Sequence, residues 1–239
     1  MAIKLNKSLE GSSTVKMTNV TPLDKPTTMF PKGFSYPMAR LVKVASVEYE
    51  TEVMGQKSTA KRLEFTYREV GADKKGTLVV SEFAPKEDAN QEKNLDYLQR
   101  RVMHVFENTI GKGRMQNDIE AETFDEFFDK LAVEFNSHTY DKEGKEAKMY
   151  SRTPVYLKVL YGTGNNSNRQ QLPLFPNYIE KAFNEKGVQV PCSLDINPSR
   201  DIISAPTVPT SNMPNAGMGT NNLLGGGGLG SEDDFPEDI

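Results

Sequence analysis

The 239-residue sequence has few of the side chains that build cross-linked or metal-bound scaffolds: one cysteine, two histidines and no tryptophan. Cys192 has no second cysteine in the chain with which to form a disulfide. His104 and His138, even together with Cys192, are too few for the four Cys and His ligands of a structural zinc site. The sequence therefore excludes a disulfide scaffold and a zinc finger, and we expect no bound metal.

Long apolar runs and catalytic motifs are also missing. No stretch approaches the ~20 apolar residues of a membrane-spanning helix, and the N-terminal MAIKLNKSLEGSS lacks the apolar core of a signal peptide. The sequence has no P-loop and no G-x-S-x-G pattern, and neither histidine has a recognisable catalytic partner. We therefore expect a cytoplasmic protein without a membrane partner, without a cofactor and without enzymatic activity.

Lysine and arginine are absent after Arg200, although that segment carries six of the 33 acidic residues. Residues 1–200 hold all 29 basic residues against the remaining 27 acidic ones, so their net charge is +2 while the whole chain carries −4. The acidic total therefore does not argue against a polyanionic partner for the body of the chain. Such an asymmetry indicates a tail with a role of its own.

Prolines and polar residues dominate positions 1–37, which we predict to be an extended arm with little regular structure. Beyond this arm, apolar and polar residues alternate in a way that is typical of β-strands. The alternation is found in segments 41–50, 61–70 and 77–83.

The apolar spacing then changes to three or four residues, which predicts two helices. The first covers Leu95–Ile110, and the second begins at Thr123, which forms a capping box with Glu126. The charged stretch 141–148 predicts a solvated turn. Strand patterns return in segments 155–161, 172–180 and 188–196, and two prolines limit the second to an edge strand or an irregular strand.

This order of elements predicts a mainly β domain over residues 38–203. We expect an OB-fold-like five-stranded Greek-key barrel with two helices between strands 3 and 4. Glycine and proline become frequent after this domain, which predicts a flexible linker over 204–230, followed by an acidic tip over 231–239.

OB-folds bind oligonucleotides on their second and third strands and with two loops, which are here 54–59 and 162–170. Single strands are held by basic side chains along the phosphates and by aromatic rings that stack on the bases. Phe65 and Phe83 fit core positions better than exposed ones, and a solvated edge is an equal interpretation of the lysines. The DNA-binding residues that we predict are Tyr49, Lys57, Lys61, Arg62, Tyr67, Arg68, Lys74, Lys75, Tyr156, Lys158 and Arg169.

The predicted strands and helices can be compared with a known family. The segments are ARLVKVASVEYETE and KRLEFTYREV, then LQRRVMHVFEN and TFDEFFDKLAVEF, then TPVYLKVLYG with LPLFPNYIE. In this order they resemble the single-stranded DNA-binding proteins of tailed bacteriophages over residues 38–182. The resemblance implies a protein that coats and protects single-stranded DNA in replication, recombination or repair, in the host-cell cytoplasm.

The tip EDDFPEDI is similar to the acidic tails with which bacterial and phage single-stranded DNA-binding proteins recruit other proteins. It departs from the bacterial pattern, in which Pro-Phe closes the chain. The resemblance implies recruitment of polymerase, helicase or primase. Because five acids in nine residues are drawn to basic surfaces, we also expect the tail to compete with DNA for the protein's own groove. The partner-binding residues are Asp233, Asp234, Phe235, Pro236 and Ile239.

Two other functions fit the same features. One is an adaptor, or a virion or replisome structural protein, that docks through the tail and does not bind DNA. The other is a recombination protein that anneals single strands. The sequence also leaves a homodimer open.

Overall fold

The computed structural model describes residues 2–11, 33–53, 55–71, 76–161, 170–171 and 178–194. Its helices there are α1 (Gln91–Thr109), α2 (Phe124–Ser137) and a 3-10 turn at Met149–Ser151, and neither α-helix is long and apolar enough to cross a lipid bilayer. The strands are β1 (Ile3–Leu5), β2 (Gly33–Ser35), β3 (Met38–Val53), β4 (Gln56–Glu69), β5 (Thr77–Glu82), β6 (Ile119–Ala121), β7 (Thr139–Lys142), β8 (Lys145–Lys148), β9 (Val155–Leu157), β10 (Val159–Tyr161), β11 (Gln170–Gln171) and β12 (Ile179–Lys181). The predicted linker and tip lie outside the described residues.

The largest sheet has five antiparallel strands in the order β12-β9-β3-β4-β5. Its long hairpin, β3–β4, has a two-residue turn. Gly55 in this turn has a φ of 79°, which residues with a Cβ rarely adopt. The predicted loop 54–59 is too long, because strand pairing continues through Glu52 and Lys57. The mainly β class and the five-stranded sheet agree with the prediction, and among the described residues this sheet is open.

Helix α2 covers one face of the β3–β4 hairpin. Thr123 caps the helix by accepting a hydrogen bond from the Glu126 N–H at 3.2 Å, which confirms the predicted start. The ring of Phe65 on β4 meets that of Phe135 edge to face, with centroids 5.4 Å apart. Because strand side chains alternate, burial of Phe65 leaves its neighbours facing away from α2. The residues that α2 buries are Phe127, Phe128, Leu131 and Phe135.

A buried ion pair joins α1 to the sheet. Arg101 donates from Nε and Nη2 to Oε1 of Glu82, at 2.9 and 2.7 Å. The ring of Tyr178 lies 5.0 Å from the guanidinium carbon, and its hydroxyl donates to the Arg101 carbonyl at 2.8 Å. Burial raises the pKa of the Glu82 carboxyl, and the charge of Arg101 opposes that rise. Loss of one partner leaves a buried unpaired charge, which costs about 3–5 kcal/mol.

Two parts of the N-terminal arm belong to the fold, so the prediction of little regular structure over 1–37 is wrong for them. Strand β1 pairs with β6, where Leu5 lies opposite Ile119 and is fully buried. Strand β2 pairs with β10, where Ser35 lies opposite Val159. A three-residue strand is too short for its alternation to stand out from a polar segment.

Three later segments also differ from their predictions. The predicted turn 141–148 forms most of the hairpin β7–β8, whose two turn residues have φ values of 54° and 81°, as a type I′ turn requires. The predicted strand 155–161 is interrupted at Lys158. The described part of segment 188–196 has an isolated bridge from Gln189 to Phe183 in place of a strand. Strand β12, which begins within the predicted segment 172–180, lies at the edge of the five-stranded sheet.

Gly11 lies against the backbone of α1 and allows a test of whether the N-terminal segment is part of the fold. A Cβ on Gly11 would lie 2.2 Å from the backbone N of His104 and 2.4 Å from its Cα, and these atoms are fixed within the helix. We expect Gly11→Ala to lower the free energy of unfolding by about 1–3 kcal/mol, measured by urea denaturation.

The matched control is Glu10→Ala, which truncates an exposed side chain in the same segment. It should change the free energy of unfolding by less than about 0.5 kcal/mol. Equal stabilities of Gly11→Ala and Glu10→Ala would show that this segment does not unfold together with α1.

Candidate nucleic-acid interface

The face of β3, β4 and β5 that points away from α2 is named here the outer face. The strand register places Val47 opposite Arg62 and Thr66 opposite Val79 on this face. Val79 and Phe83 are large apolar side chains that remain 49% and 45% exposed. An exposed sheet surface with apolar and basic side chains is typical of a surface that contacts a ligand.

Three side chains of the outer face lie against one another and form what we call the stacking cluster, namely Arg62, Tyr49 and Phe83. The Arg62 guanidinium carbon lies 5.5 Å from the Tyr49 ring centroid and 5.7 Å from that of Phe83. The two rings are edge to face, with centroids 5.2 Å apart. Glu64 holds the guanidinium in place, because its Oε1 accepts from Nε at 2.8 Å and lies 2.7 Å from Nη2.

The stacking cluster combines the two chemistries that bind a single strand. A base can stack on the exposed part of the Phe83 ring, and stacking of this kind contributes about 1–3 kcal/mol per base. The guanidinium beside the rings can stack on the π-face of a base, while its charge is paired with Glu64. Because every base has a π-face, such a cluster binds without strong sequence preference.

Further cations lie on or near the outer face. Arg68 is exposed on β4 opposite Thr77 of β5, and Lys43 is exposed on β3. Lys57 lies near the end of the hairpin, with its Nζ 3.6 Å from Oε2 of Glu50 and both side chains 81% exposed. Alternation along β4 places Lys57 on the same face as Lys61 and opposite to Arg62, which corrects its prediction as part of the outer face. Ion pairs between fully solvated side chains are weak, so Lys57 can exchange Glu50 for another anion.

Lys61 does not belong to the outer face, which corrects its prediction as a DNA contact. Its Nζ lies 2.7 Å from Oδ2 of Asp129, and its backbone N–H donates to Asp125 at 2.8 Å. The hydrogen bond from Lys61 to Asp129 raises the pKa of Lys61. Since Lys61 and Arg62 are consecutive on a strand, they point to opposite faces, and Lys61 ties the hairpin to α2.

Burial corrects three further predictions. Tyr67 and Tyr156 have no exposed surface, and Lys158 is 3% exposed. The Tyr156 hydroxyl donates to the Val190 carbonyl and accepts from the Gln189 side chain, each at 2.8 Å. Tyr67 lies in the main core, and Tyr156 lies in a second buried cluster because β9 is buried on both faces, so neither ring can stack on a base.

The sequence missed the exposure of Phe83 by treating it as a core residue like Phe65. Leu78, Val80 and Glu82 on β5 are buried. Counting in steps of two from Leu78 places Phe83 on the opposite side, so strict alternation would have found it. Other predicted residues and the second binding loop lie outside the described part of the chain, namely Lys74, Lys75, Arg169, loop residues 162–169, Asp233, Asp234, Phe235, Pro236 and Ile239.

The side chains that most often bind metals or react as nucleophiles are not gathered in the described ranges. No group of three or more His, Cys, Asp and Glu side chains there is placed to hold a metal ion. Burial lowers the pKa of His104 to about 4, so its ring is neutral near pH 7. Burial also raises the pKa of the Cys192 thiol, which keeps the less reactive protonated form.

No family model, curated protein or solved structure matches this chain. Its function therefore has to be inferred from the residues and geometry of the outer face.

The burial of Tyr67 can be tested through its hydroxyl, which has no hydrogen-bond partner among the described residues. An unpaired buried hydroxyl is costly, so we expect Tyr67→Phe to raise the free energy of unfolding by about 1 kcal/mol. Tyr156→Phe is the matched control, because it removes a hydroxyl with two partners and should lower the free energy of unfolding by a similar amount. Urea denaturation measures both values, and a clear loss of stability in Tyr67→Phe would contradict the buried, unpaired position.

Proposed function

We propose that this chain binds single-stranded DNA on the outer face of β3, β4 and β5. The observation that carries the proposal is the stacking cluster, in which a guanidinium lies beside two rings and one ring, Phe83, is 45% exposed. Neighbouring cations on the same face, such as Arg68 and Lys43, supply the charge that follows a phosphate backbone.

We further propose that the domain is an OB-fold-like Greek-key barrel. Strands β3, β4 and β5 follow one another, α1 and α2 come next, and β9 then returns beside β3. An OB-fold has this order, with its helical segment between strands 3 and 4. Strand β11 pairs with β10 and approaches β5, which supports β11 as the fifth strand of such a barrel. This topology supports the proposal, since OB-folds bind oligonucleotides on strands 2 and 3, here β4 and β5.

The cellular role that fits such a surface is coating and protection of single-stranded DNA during replication, recombination or repair in the cytoplasm. Sequence-independent stacking suits this role, because a coating protein must accept any base. The acidic tip then recruits replication or recombination proteins by its charges and by Phe235 or Ile239. The predicted linker over residues 204–230 would tether the tip to the DNA-binding domain, which gives a recruited partner a high effective concentration near the DNA.

Truncation of the stacking cluster tests the proposed function. We expect Phe83→Ala to weaken binding of a fluorescein-labelled (dT)25 by roughly 5- to 100-fold, because it removes a stacking platform worth about 1–3 kcal/mol. Fluorescence anisotropy at low salt measures the affinity.

Tyr97→Ala provides the control, since Tyr97 on α1 is also exposed and also lies near a cation, with Lys93 Nζ 5.8 Å from its ring. It should bind like the wild type. If Phe83→Ala binds (dT)25 as tightly as Tyr97→Ala does, the stacking cluster has no role in binding. If the wild-type protein binds no oligonucleotide, the adaptor function is favoured.

Removal of the acidic tip tests the competition between tail and DNA. We expect the protein without residues 231–239 to bind (dT)25 more tightly at low salt, because the tip no longer occupies basic side chains. The difference should shrink as salt is added, since salt screens exposed charges.

A full-length variant with its five tip acids changed to amides separates charge from chain length. It should bind as tightly as the truncated protein, whereas a scrambled tip of the same composition should bind like the wild type. Unchanged or weaker binding by the truncated protein would rule out competition.

A further inference from the structure

A second basic surface lies away from the stacking cluster, in a cleft that no local sequence pattern predicts. The cleft has a volume of about 800 Å³ and is lined by the C-terminal end of α1, residues 149–154 and the segment 181–190. Four of its lining residues are cations and one, Glu185, is an acid. We call it the basic cleft, and its cations are Arg40, Arg114, Arg152 and Lys181.

The cations of the basic cleft are not neutralised within the described ranges. None of the four lies within 4.0 Å of a carboxylate oxygen there. Many other cations of the domain do have such a partner, for example Lys112 with Glu10 at 2.7 Å. Two acids act on the cleft: Glu185 is one of its lining residues, and the charge of Glu107 interacts with that of Lys181. An anion that enters the cleft therefore meets an excess of positive charge, with four cations against one acid in the lining.

Two of the guanidinium groups are held in position. Arg40 donates from Nη1 to the Arg152 carbonyl at 2.7 Å and to the Ser151 carbonyl at 3.0 Å. The Arg152 guanidinium lies over the Tyr140 ring, 5.5 Å from its centroid. Guanidinium groups that are fixed in this way lose little conformational entropy when they bind, and their fork of donors matches phosphate oxygens.

The basic cleft continues the outer face. Arg40 lies directly opposite Arg68 in the β3–β4 register, so both side chains leave the same face of the hairpin. Arg68 is six residues from Arg62 on β4, which is about 20 Å along a strand. The cations therefore run from the stacking cluster along β4 to Arg40, and from Arg40 into the cleft.

The geometry points to the basic cleft as a binding site for the phosphodiester backbone of the single strand, beyond the part that stacks on the outer face. This inference rests on the proposed function. A phosphodiester chain is favoured over an acidic peptide because the cleft is continuous with the outer face through Arg40 and Arg68. Four cations spread over such a volume also suit several successive phosphates better than one compact anion.

The experiment compares two oligonucleotide lengths on full-length protein. OB-fold sites cover about 4–16 nucleotides, so (dT)5 can occupy the stacking cluster while (dT)25 reaches the cleft as well. The test variant is Arg114→Ala/Lys181→Ala, which changes two exposed cations. The matched control is Lys142→Ala/Lys145→Ala, which removes the same charge from the exposed hairpin β7–β8. Circular dichroism and thermal unfolding verify that both variants are folded.

We expect the cleft variant to bind (dT)25 roughly tenfold more weakly at about 50 mM salt. The slope of its log affinity against log salt should fall by about 1.4, or about 0.7 for each phosphate that is no longer neutralised. Its affinity for (dT)5 should equal that of the wild type. The control variant should bind both lengths like the wild type.

Three other results would overturn the inference. If the wild type binds both lengths and the cleft variant matches the control, the cleft takes no part, and the proposed function still stands. An equal loss of affinity for (dT)5 and (dT)25 would make the cleft the primary site. Tighter binding of (dT)25 by the cleft variant would assign the cleft to the acidic tip.

A wild type that binds neither length refutes the proposed function itself.

Discussion

The two-residue period of side chains along β3 and β4 decides which residues of this protein a ligand can reach. Helix α2 packs its phenylalanines against one face of the hairpin, and this packing commits Leu63 and Phe65 to the core. Their neighbours must then face outward, because a strand has only two faces. Lys61 and Arg62 show the consequence: one ties the hairpin to α2, and the other lies beside two aromatic rings.

A β-bulge at Val42 allows both halves of β3 to direct their apolar side chains into the core. Leu41 and Val44 are both buried although they are three residues apart, and the register shifts between Leu41 and Lys43. Without the extra residue, the alternation from Leu41 would turn Lys43 into the interior. The bulge thus leaves Arg40 and Lys43 on the solvent side of the hairpin, and it allows the outer face and the basic cleft to share one run of cations.

Local patterns predicted the parts of the fold that are long and periodic, and failed where contacts join distant segments. The helix from Thr123 could be predicted because its cap and its apolar spacing lie within one segment. Alternation also predicted the central strands, but their inward face is chosen by the distant helix α2, so the buried Tyr67 and the exposed Arg68 are both among the predicted DNA contacts. Strand β1 and the basic cleft have no local signature. The cleft brings together cations from positions 40, 114, 152 and 181.

The sequence also does not show which charged side chains are paired in the folded protein. The body of the chain, residues 1–200, has a net charge of only +2, which by itself gives little reason to expect a polyanion. Net charge counts paired and unpaired cations alike, however, and the fold separates them. Lys4, Lys61 and Arg101 each lie against a carboxylate and so contribute little field outside the protein. The cations of the basic cleft have no carboxylate within 4.0 Å in the part of the chain that the structure describes. A polyanion responds to such local excess charge within a Debye length, about 10 Å at moderate salt. A chain that is acidic as a whole can therefore present a locally cationic surface, which is what the proposed binding of DNA requires.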